Sequence, residues 1–251
     1  MLRISFVIPA YNEEALIGQC LTALTRECER AGHTEEIIVV DNASTDSTAA
    51  IAASFPRVTV LKEAQKGVAH ARQTGSRTAR GDLIANIDAD TRMQTGWIDM
   101  VLSEFSAHPQ LVALSGPYFF YDLPIIVRGA TRLFYYAAKV AYIVNCKIFR
   151  FGSVLQAGNL VVRRDAFQKI GGFDTSIEFY GEDADLARRM ITLGDVKWMH
   201  RFSIPSSGRR IAHEGIFTMG YVYTMTYLTA IFLKRPMAIP HRAIRPSRRD
   251  D

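Results

Sequence analysis

Within the first ninety positions, four short runs of aliphatic and β-branched residues (4–8, 37–40, 58–61 and 83–87) alternate with segments long enough to be helices (13–31, 46–54 and 67–79). Each run is too short for a core helix and apolar on both faces of a pleat, so each reads as a buried strand. Strands that alternate with helices are joined by right-handed crossovers, which predicts a mostly parallel α/β sheet of Rossmann-like form. A further helix over 95–107 and a strand over 111–115 extend the pattern.

In such sheets ligands bind beyond the carboxyl ends of the strands. Here those ends read Pro9-Ala10-Tyr11-Asn12-Glu13, Asp41-Asn42-Ala43-Ser44 and Asp88-Ala89-Asp90. Two carboxylates two residues apart at a strand end can hold a hard cation, Mg²⁺ or Mn²⁺, against a diphosphate that completes its oxygen shell. A metal so held would neutralise charge on a departing nucleotide. The competing reading of the tripeptide is a loop in which Asp90 or Thr91 caps the next helix.

Downstream, the aromatic stretch 118–151 reads mostly as helix, followed by a strand over 158–162, a short helix, the turn Gly171-Gly172-Phe173-Asp174, and a helix that begins near Glu182. Residues 216–233 carry no charged side chain and are flanked by Arg209, Arg210, Lys234 and Arg235. That length reaches the lower bound for a membrane span, but threonines, tyrosines and a glycine dilute it. A helix in the core or at a subunit contact and a helix lying at a membrane interface therefore compete with a spanning one.

The chain holds 30 basic and 25 acidic side chains for a formal charge of +5, with much of the excess near the C-terminus. A local basic excess suits phosphates or an anionic membrane surface. No zinc-finger spacing and no interleaving of cations with stacking aromatics points to nucleic acid. Cys20, Cys28 and Cys146 are odd in number and lack CxxC spacing, which argues against a disulfide framework or zinc site. The first residues pass directly into a strand without the marks of a secretion signal, so a cytoplasmic location is expected.

Taken in order, Pro9-Ala10-Tyr11-Asn12-Glu13-Glu14, Val39-Val40-Asp41-Asn42-Ala43-Ser44-Thr45-Asp46, Gly67 to Gly75, Asp88-Ala89-Asp90, Gly158-Asn159-Leu160, Gly171-Gly172-Phe173-Asp174 and Glu182-Asp183-Ala184-Asp185-Leu186 resemble the family 2 glycosyltransferases of GT-A fold. The resemblance covers about residues 1–200. It implies a GT-A domain over 1–205, with a nucleotide-binding half (1–115) and an acceptor-side half (116–205), followed by a C-terminal helical extension and basic tail over 206–251. It also implies a metal-dependent, inverting transfer of sugar from a nucleotide-sugar donor, UDP- or GDP-linked, to a hydroxyl of a glycan or lipid-linked acceptor. Pro9, Tyr11, Glu13, Asp41, Arg72 and Asp88 would bind the donor, Asp90 the metal, and Gly158, Asn159 and Glu182 would lie on the acceptor side. Asp183 would be the base, since a carboxylate can take the acceptor proton as the hydroxyl attacks; the local alternative is that Glu182 and Asp183 favour the positive end of the helix they begin. Asp41 and Ser44 have a helix N-cap as their alternative, and Arg72 a solvated helix position.

Where polymerising members carry Gln-x-x-Arg-Trp, this chain has Ser206-Ser207-Gly208-Arg209-Arg210, which argues for non-processive transfer. Arg209 and Arg210 can clamp a diphosphate or equally serve anionic lipid, and His213 can supply a further metal ligand or be a satisfied surface or core histidine. An apolar helix before a basic tail suggests peripheral membrane contact and a setting in envelope polysaccharide or glycolipid synthesis. Two other functions compete. A nucleotidyltransferase would bring a glycine-rich basic loop after the first strand, and this loop is acidic and has no glycine. A non-catalytic nucleotide-sugar-binding subunit of a membrane complex is disfavoured by the presence of both Asp90 and Asp183.

Overall fold

The structure, a computed structural model, describes residues 2–32, 36–144, 154–177, 180–233 and 244. The four expected strands form β1 (Ile4–Ala10), β2 (Glu36–Asp41), β3 (Val58–Lys62) and β4 (Leu83–Ile87). Between them lie α1 (Ile17–Ala31), α2 (Thr48–Ala53) and α3 (Val68–Thr78), and α4 (Trp97–Ala107) and β5 (Leu111–Ser115) follow. Alternation along β1 and β2 explains the layering, because successive side chains leave opposite faces of a strand. Phe6, Ile8, Ile37 and Val39 pack under α1 and α4. Val7, Ile38 and Val40 point the other way, into a second core beneath α3. A sheet covered on both sides needs such continuous apolar strands.

Gly75 lets α3 sit flush on that sheet: a Cβ there would lie 2.9 Å from Val40 Cγ2 and closer still to Val7. Gly32 closes α1 in the left-handed conformation (φ 67°), the usual helix stop.

The sheet has seven strands in the order β3-β2-β1-β4-β7-β5-β8. β7 (Asn159–Arg163) runs antiparallel between β4 and β5, and β8 (Asp195–Trp198) pairs parallel to β5. The two expected halves therefore share one sheet, with β7 of the second wedged between two strands of the first. Residues 118–120, at the start of the stretch expected to be mostly helix, form the short strand β6 (Tyr118–Phe120), paired with β9 (Ile204–Ser206) in a separate two-stranded sheet. The expected boundary after 205 falls inside β9.

Helix α5 (Ile125–Tyr142) accounts for the aromatic stretch, α6 (Arg164–Lys169) follows β7, and α7 (Glu182–Met190) begins at Glu182 as expected. Two C-terminal helices, α8 (Arg209–Glu214) and α9 (Ile216–Phe232), complete the described chain. Leu123, Tyr180, Ile211, Met219 and Val222 form a small third core that ties α8 and α9 to the rest. Among the described residues no helix is long and apolar enough to cross a membrane. The basic tail after 233 and Cys146 lie outside the described residues.

Candidate active site

A cavity of about 2300 Å³ opens beyond the carboxyl ends of β1 and β4, roofed by α5 and α9. Its polar floor is assembled from loops whose backbones depart from ordinary conformations. Asn12, Ala43 and Tyr180 have φ of 54°, 60° and 61°, a region costly for residues with a Cβ and held only where surrounding contacts insist on it. Those contacts are visible at Asn12 and in the residues that follow Ala43. The Asn12 N–H donates to Ser44 Oγ (3.0 Å), and Asn12 Oδ1 accepts from the Thr45 N–H (2.8 Å). The Glu13 N–H donates to Thr48 Oγ1 (2.8 Å), and the Glu14 N–H to Asp46 (3.1 Å). The Ser44-to-Thr48 run thus clamps the loop after β1, and Ser44 is not a helix cap.

At the end of β4, Asp88 is held from three sides. Arg72 donates to its Oδ1 (2.7 Å), the Tyr118 hydroxyl donates to its Oδ2 (2.8 Å), and its own N–H reaches the Gly158 carbonyl (3.3 Å). Glycine is needed at 158, because a Cβ would collide with the Asp88 carboxylate and the Tyr118 hydroxyl. Arg72 is buried, and its other terminal nitrogen donates to Glu182 Oε1 (2.7 Å). It therefore links the end of β4 to the start of α7, in place of the solvated position a surface helix would give it. Burial raises the Tyr118 hydroxyl well above its ordinary pKa, and the neighbouring Asp88 carboxylate adds to this, so the hydroxyl remains a donor.

Asp90 faces a different corner. Ser206 donates to its Oδ1 (3.1 Å), and Arg209 stands 3.4 Å from its Oδ2 while also gripping both oxygens of Glu13. Burial pushes Asp90 up to about 7 against the pull of Arg209, and the Glu13 and Asp88 carboxylates push the same way. Glu13, Asp88 and Asp90 are thus an excess of negative charge gathered round few cations. Among the described residues no three His, Cys, Asp or Glu side chains converge to hold a metal by themselves. The donor set nonetheless fits a hard divalent ion of the Mg²⁺ class, which commonly takes one or two carboxylates and completes its shell with substrate phosphates and water.

Asp183 lies in the first turn of α7 and lines the same cavity. Burial, with the adjacent Glu182, raises it to about 7, although the Ala184 N–H and Arg72 favour its charged form. A carboxyl group poised there can accept a proton near neutrality. Tyr135 and Tyr223, from α5 and α9, flank it, and burial holds the Tyr135 hydroxyl well above the ordinary tyrosine pKa.

Pro9, Tyr11, Glu13, Arg72, Asp88, Asp90, Gly158, Glu182, Asp183, Arg209 and Arg210 all line this one cavity. Three expected site residues do not. Asp41 closes a turn by accepting the Ser44 N–H (3.3 Å), and its neighbour Asn42 lines the cavity instead, bonded to Gln65 O (2.7 Å) and the Gly67 N–H (2.8 Å). Asn159 is fully buried and spends its amide on Trp97 Nε1 (3.2 Å), Gly116 O (3.3 Å) and Phe202 O (2.7 Å), so it braces the fold. His213 is exposed on the outer side of α8 and is not brought to Asp90. Arg210 faces Tyr180, donating to its hydroxyl (3.1 Å).

Tyr118, Lys66 and Ser206 were not among the expected site residues. Lys66 packs over the Tyr11 ring (5.0 Å) and donates to its hydroxyl (3.3 Å). Lys66 directly precedes Gly67 and Ser206 opens the Ser206-Ser207-Gly208-Arg209-Arg210 run, so both had a signal in their neighbours. Tyr118 had none, being one of many aromatics in its stretch.

The chain is 28% identical over 218 residues to Glycosyltransferase AglE of Haloferax volcanii, covering 85% of this chain and 65% of that protein. It is 36% identical over 93 residues to an undecaprenyl-phosphate 4-deoxy-4-formamido-L-arabinose transferase of Aeromonas hydrophila, covering 35% of this chain and 28% of that one. The chain thus spans less than two thirds of the length of these relatives. A mannosyltransferase from Pyrobaculum calidifontis, solved in complex with GDP-Man and Mn²⁺, superposes with a TM-score of 0.69 at 21% identity over 93% of this chain and 64% of that one, which establishes the shared fold. Residues 5–171, more than half of the chain, match Glycosyl transferase family 2, and the chain belongs to that family.

Proposed function

We propose that the protein is an inverting, non-processive glycosyltransferase that moves a sugar from a nucleoside-diphosphate sugar to a hydroxyl of a lipid-linked acceptor at the inner face of the cell membrane. The observation that carries this is the placement of Asp183, a carboxyl group raised to about 7, in the same cavity as the Glu13–Arg209–Asp90 cluster. An acceptor base and a diphosphate-binding corner in one cavity are what a direct displacement requires. The family supports the transferase reading, and the names of an undecaprenyl-phosphate transferase and of a glucosyl-dolichyl phosphate glucuronosyltransferase among the relatives support a lipid-linked acceptor.

In this mechanism Tyr11 and Lys66 hold the base end of the nucleotide, Glu13 accepts from ribose hydroxyls, and Arg209 turns from Glu13 and Asp90 toward the diphosphate. Asp90 would hold a divalent metal, which offsets charge on the departing diphosphate. Arg72 and Tyr118 fix the Asp88 carboxylate, and the collision a Cβ would cause at Gly158 shows how closely that backbone approaches it. The acceptor oxygen attacks the anomeric carbon, the bond from that carbon to the diphosphate oxygen breaks, and the hydroxyl proton passes to Asp183. A single in-line displacement inverts the anomeric centre.

The test is nucleotide-sugar binding and transfer with Mn²⁺ or Mg²⁺, using wild type, Asp90→Ala and Asp183→Asn. One nucleotide that binds only with metal and Asp90, and is turned over only with Asp183, supports the mechanism. If Asp183→Asn transfers normally, the nucleophile needs no base, as for an acceptor phosphate oxygen. Metal-dependent binding without transfer to any lipid-linked acceptor favours a non-catalytic binding subunit.

A further inference from the structure

Among the described residues, every large exposed hydrophobic side chain except Leu193 belongs to 125–144 or 216–233, the α5 and α9 segments. On α5 these include Ile125, Ile126 (83% exposed), Leu133, Tyr136, Val140 and, just past its end, Ile143. At 3.6 residues per turn they fall within roughly 100° of arc, opposite the face that buries Thr131, Tyr135 and Tyr142. On α9, Phe217 (91% exposed), Tyr221, Leu228 and Phe232 make a matching stripe opposite the buried Val222 and Thr226. Both helices are thus apolar on the side that meets the protein and on the side that does not. A helix of that kind needs a second apolar environment.

The charges say which one. Arg128, Arg132 and Lys139 are the only charged residues of α5, all basic, and they run along one edge of its exposed stripe. Arg128 and Arg132 are anchored there over the Phe119 ring, at 5.9 and 5.5 Å. α9 carries no charge. The acids nearest in sequence are engaged elsewhere: Asp122 accepts from Ser207 and Gly208, and Glu214 faces Arg210 and Tyr180. A two-fold contact would set this face against itself and bring the cations together with no carboxylate on either helix. An apolar stripe edged only by cations instead matches the boundary of an anionic bilayer.

We infer that α5 and α9 together form a docking surface that seats the protein on an anionic phospholipid bilayer, with the cleft between them opening toward the lipid. Leu133 and Phe134 of α5 and Phe217, Gly220 and Tyr221 of α9 line the cavity that contains Asp183, and Leu133, Phe217 and Tyr221 are also part of the exposed surface. A lipid-linked acceptor therefore has a continuous apolar path from the bilayer, its tail between the two helices and its head group at Asp183. The path rests on the transferase reading above; the docking does not.

The experiment is flotation of the full chain with neutral phosphatidylcholine vesicles and with vesicles containing phosphatidylglycerol, at low and high salt, with nucleotide-sugar binding measured on the same samples. Ile126→Ser/Val140→Ser/Phe232→Ser removes exposed apolar groups that do not line the cavity, and Arg132→Ser/Lys139→Ser removes part of the basic edge. Wild type is expected to float with the anionic vesicles, the apolar variant to bind them about tenfold or more weakly, and the basic variant to lose its preference for anionic lipid. Failure of wild type to float with either vesicle overturns the inference. So does unchanged flotation of the apolar variant, or a wild-type dimer that this variant splits without altering flotation. Donor binding that survives lost flotation assigns the defect to the surface alone, whereas flotation without any donor binding counts against the transferase reading alone.

Discussion

Asp183 carries the sharpest prediction. Asp183→Asn is expected to lower kcat by about 10² or more with donor affinity nearly unchanged, because only the proton acceptor is lost. Since its carboxyl is raised to about 7, kcat/KM is expected to climb as pH rises through about 7 and then level off, and a pH–rate profile of wild type checks this. Arg72 tests the other side of the site. It is buried between Asp88 and Glu182, and Arg72→Met would leave both carboxylates facing a cleft without their cation. Breaking a buried pair costs about 3–5 kcal/mol, so the melting temperature is expected to fall by roughly 10 °C. Several of these residues could be picked out from the sequence: Asp88, Asp90, Glu182 and Asp183 stand in motifs at the ends of strands or the start of a helix. Asp41, Asn159 and His213 stood in the same motifs or beside them yet lie outside the cavity. A motif fixes the backbone position of a residue, but the side chain follows the nearest hydrogen-bond partner. For Asn159 those partners are carbonyls of Gly116 and Phe202, distant in the chain.

Among the elements, α3 sets two effects against each other. Gly75→Ala would gain about 1 kcal/mol of helix propensity, but the added Cβ meets Val7 and Val40, whose branched side chains have little room to turn. Overpacking of this kind costs about 1–3 kcal/mol, so the variant is expected to be less stable than wild type in denaturant unfolding. The elements found from short apolar runs and the helix-length segments between them, β1 to β5 and α1 to α4, lie close to where the sequence puts them. Strands β6, β8 and β9 were missed because they have three or four residues and pair with partners remote in sequence. Tyr118-Phe119-Phe120 suits a helix or a strand equally by composition, and only its pairing with Ile204–Ser206 decides.

For the whole molecule, the raised carboxyls link stability to pH. Asp90 and Asp183 have an ordinary value of 3.8 and are each raised to about 7, so between those limits the folded state binds more protons than the unfolded one. Their contribution to stability is therefore expected to be full below about 4, to fall as pH rises through about 7, and to stay at the lower level above it, whereas Asp46, Glu63 and Glu104, held below their ordinary values, act in the opposite sense and lose their contribution as pH falls below about 4. Melting curves across that range should show the fall in wild type and a smaller one in Asp183→Asn. At pH 8 that variant is expected to melt about 2 °C or more above wild type although its activity is reduced. Mn²⁺ together with the matching nucleoside diphosphate should restore stability to wild type by binding the folded state.

By itself the sequence determined the mostly parallel sheet, because strand and helix periods are written locally in the spacing of apolar residues. It also determined which carboxylates stand at strand ends. Only the tertiary structure decided that Arg72 joins Asp88 to Glu182, that Arg209 reaches back to Glu13 and Asp90, and that the apolar run 216–233, like α5, leaves large side chains exposed. Each of these depends on groups far apart in the chain, whose meeting is set by packing of the whole fold and not by any local pattern of residues.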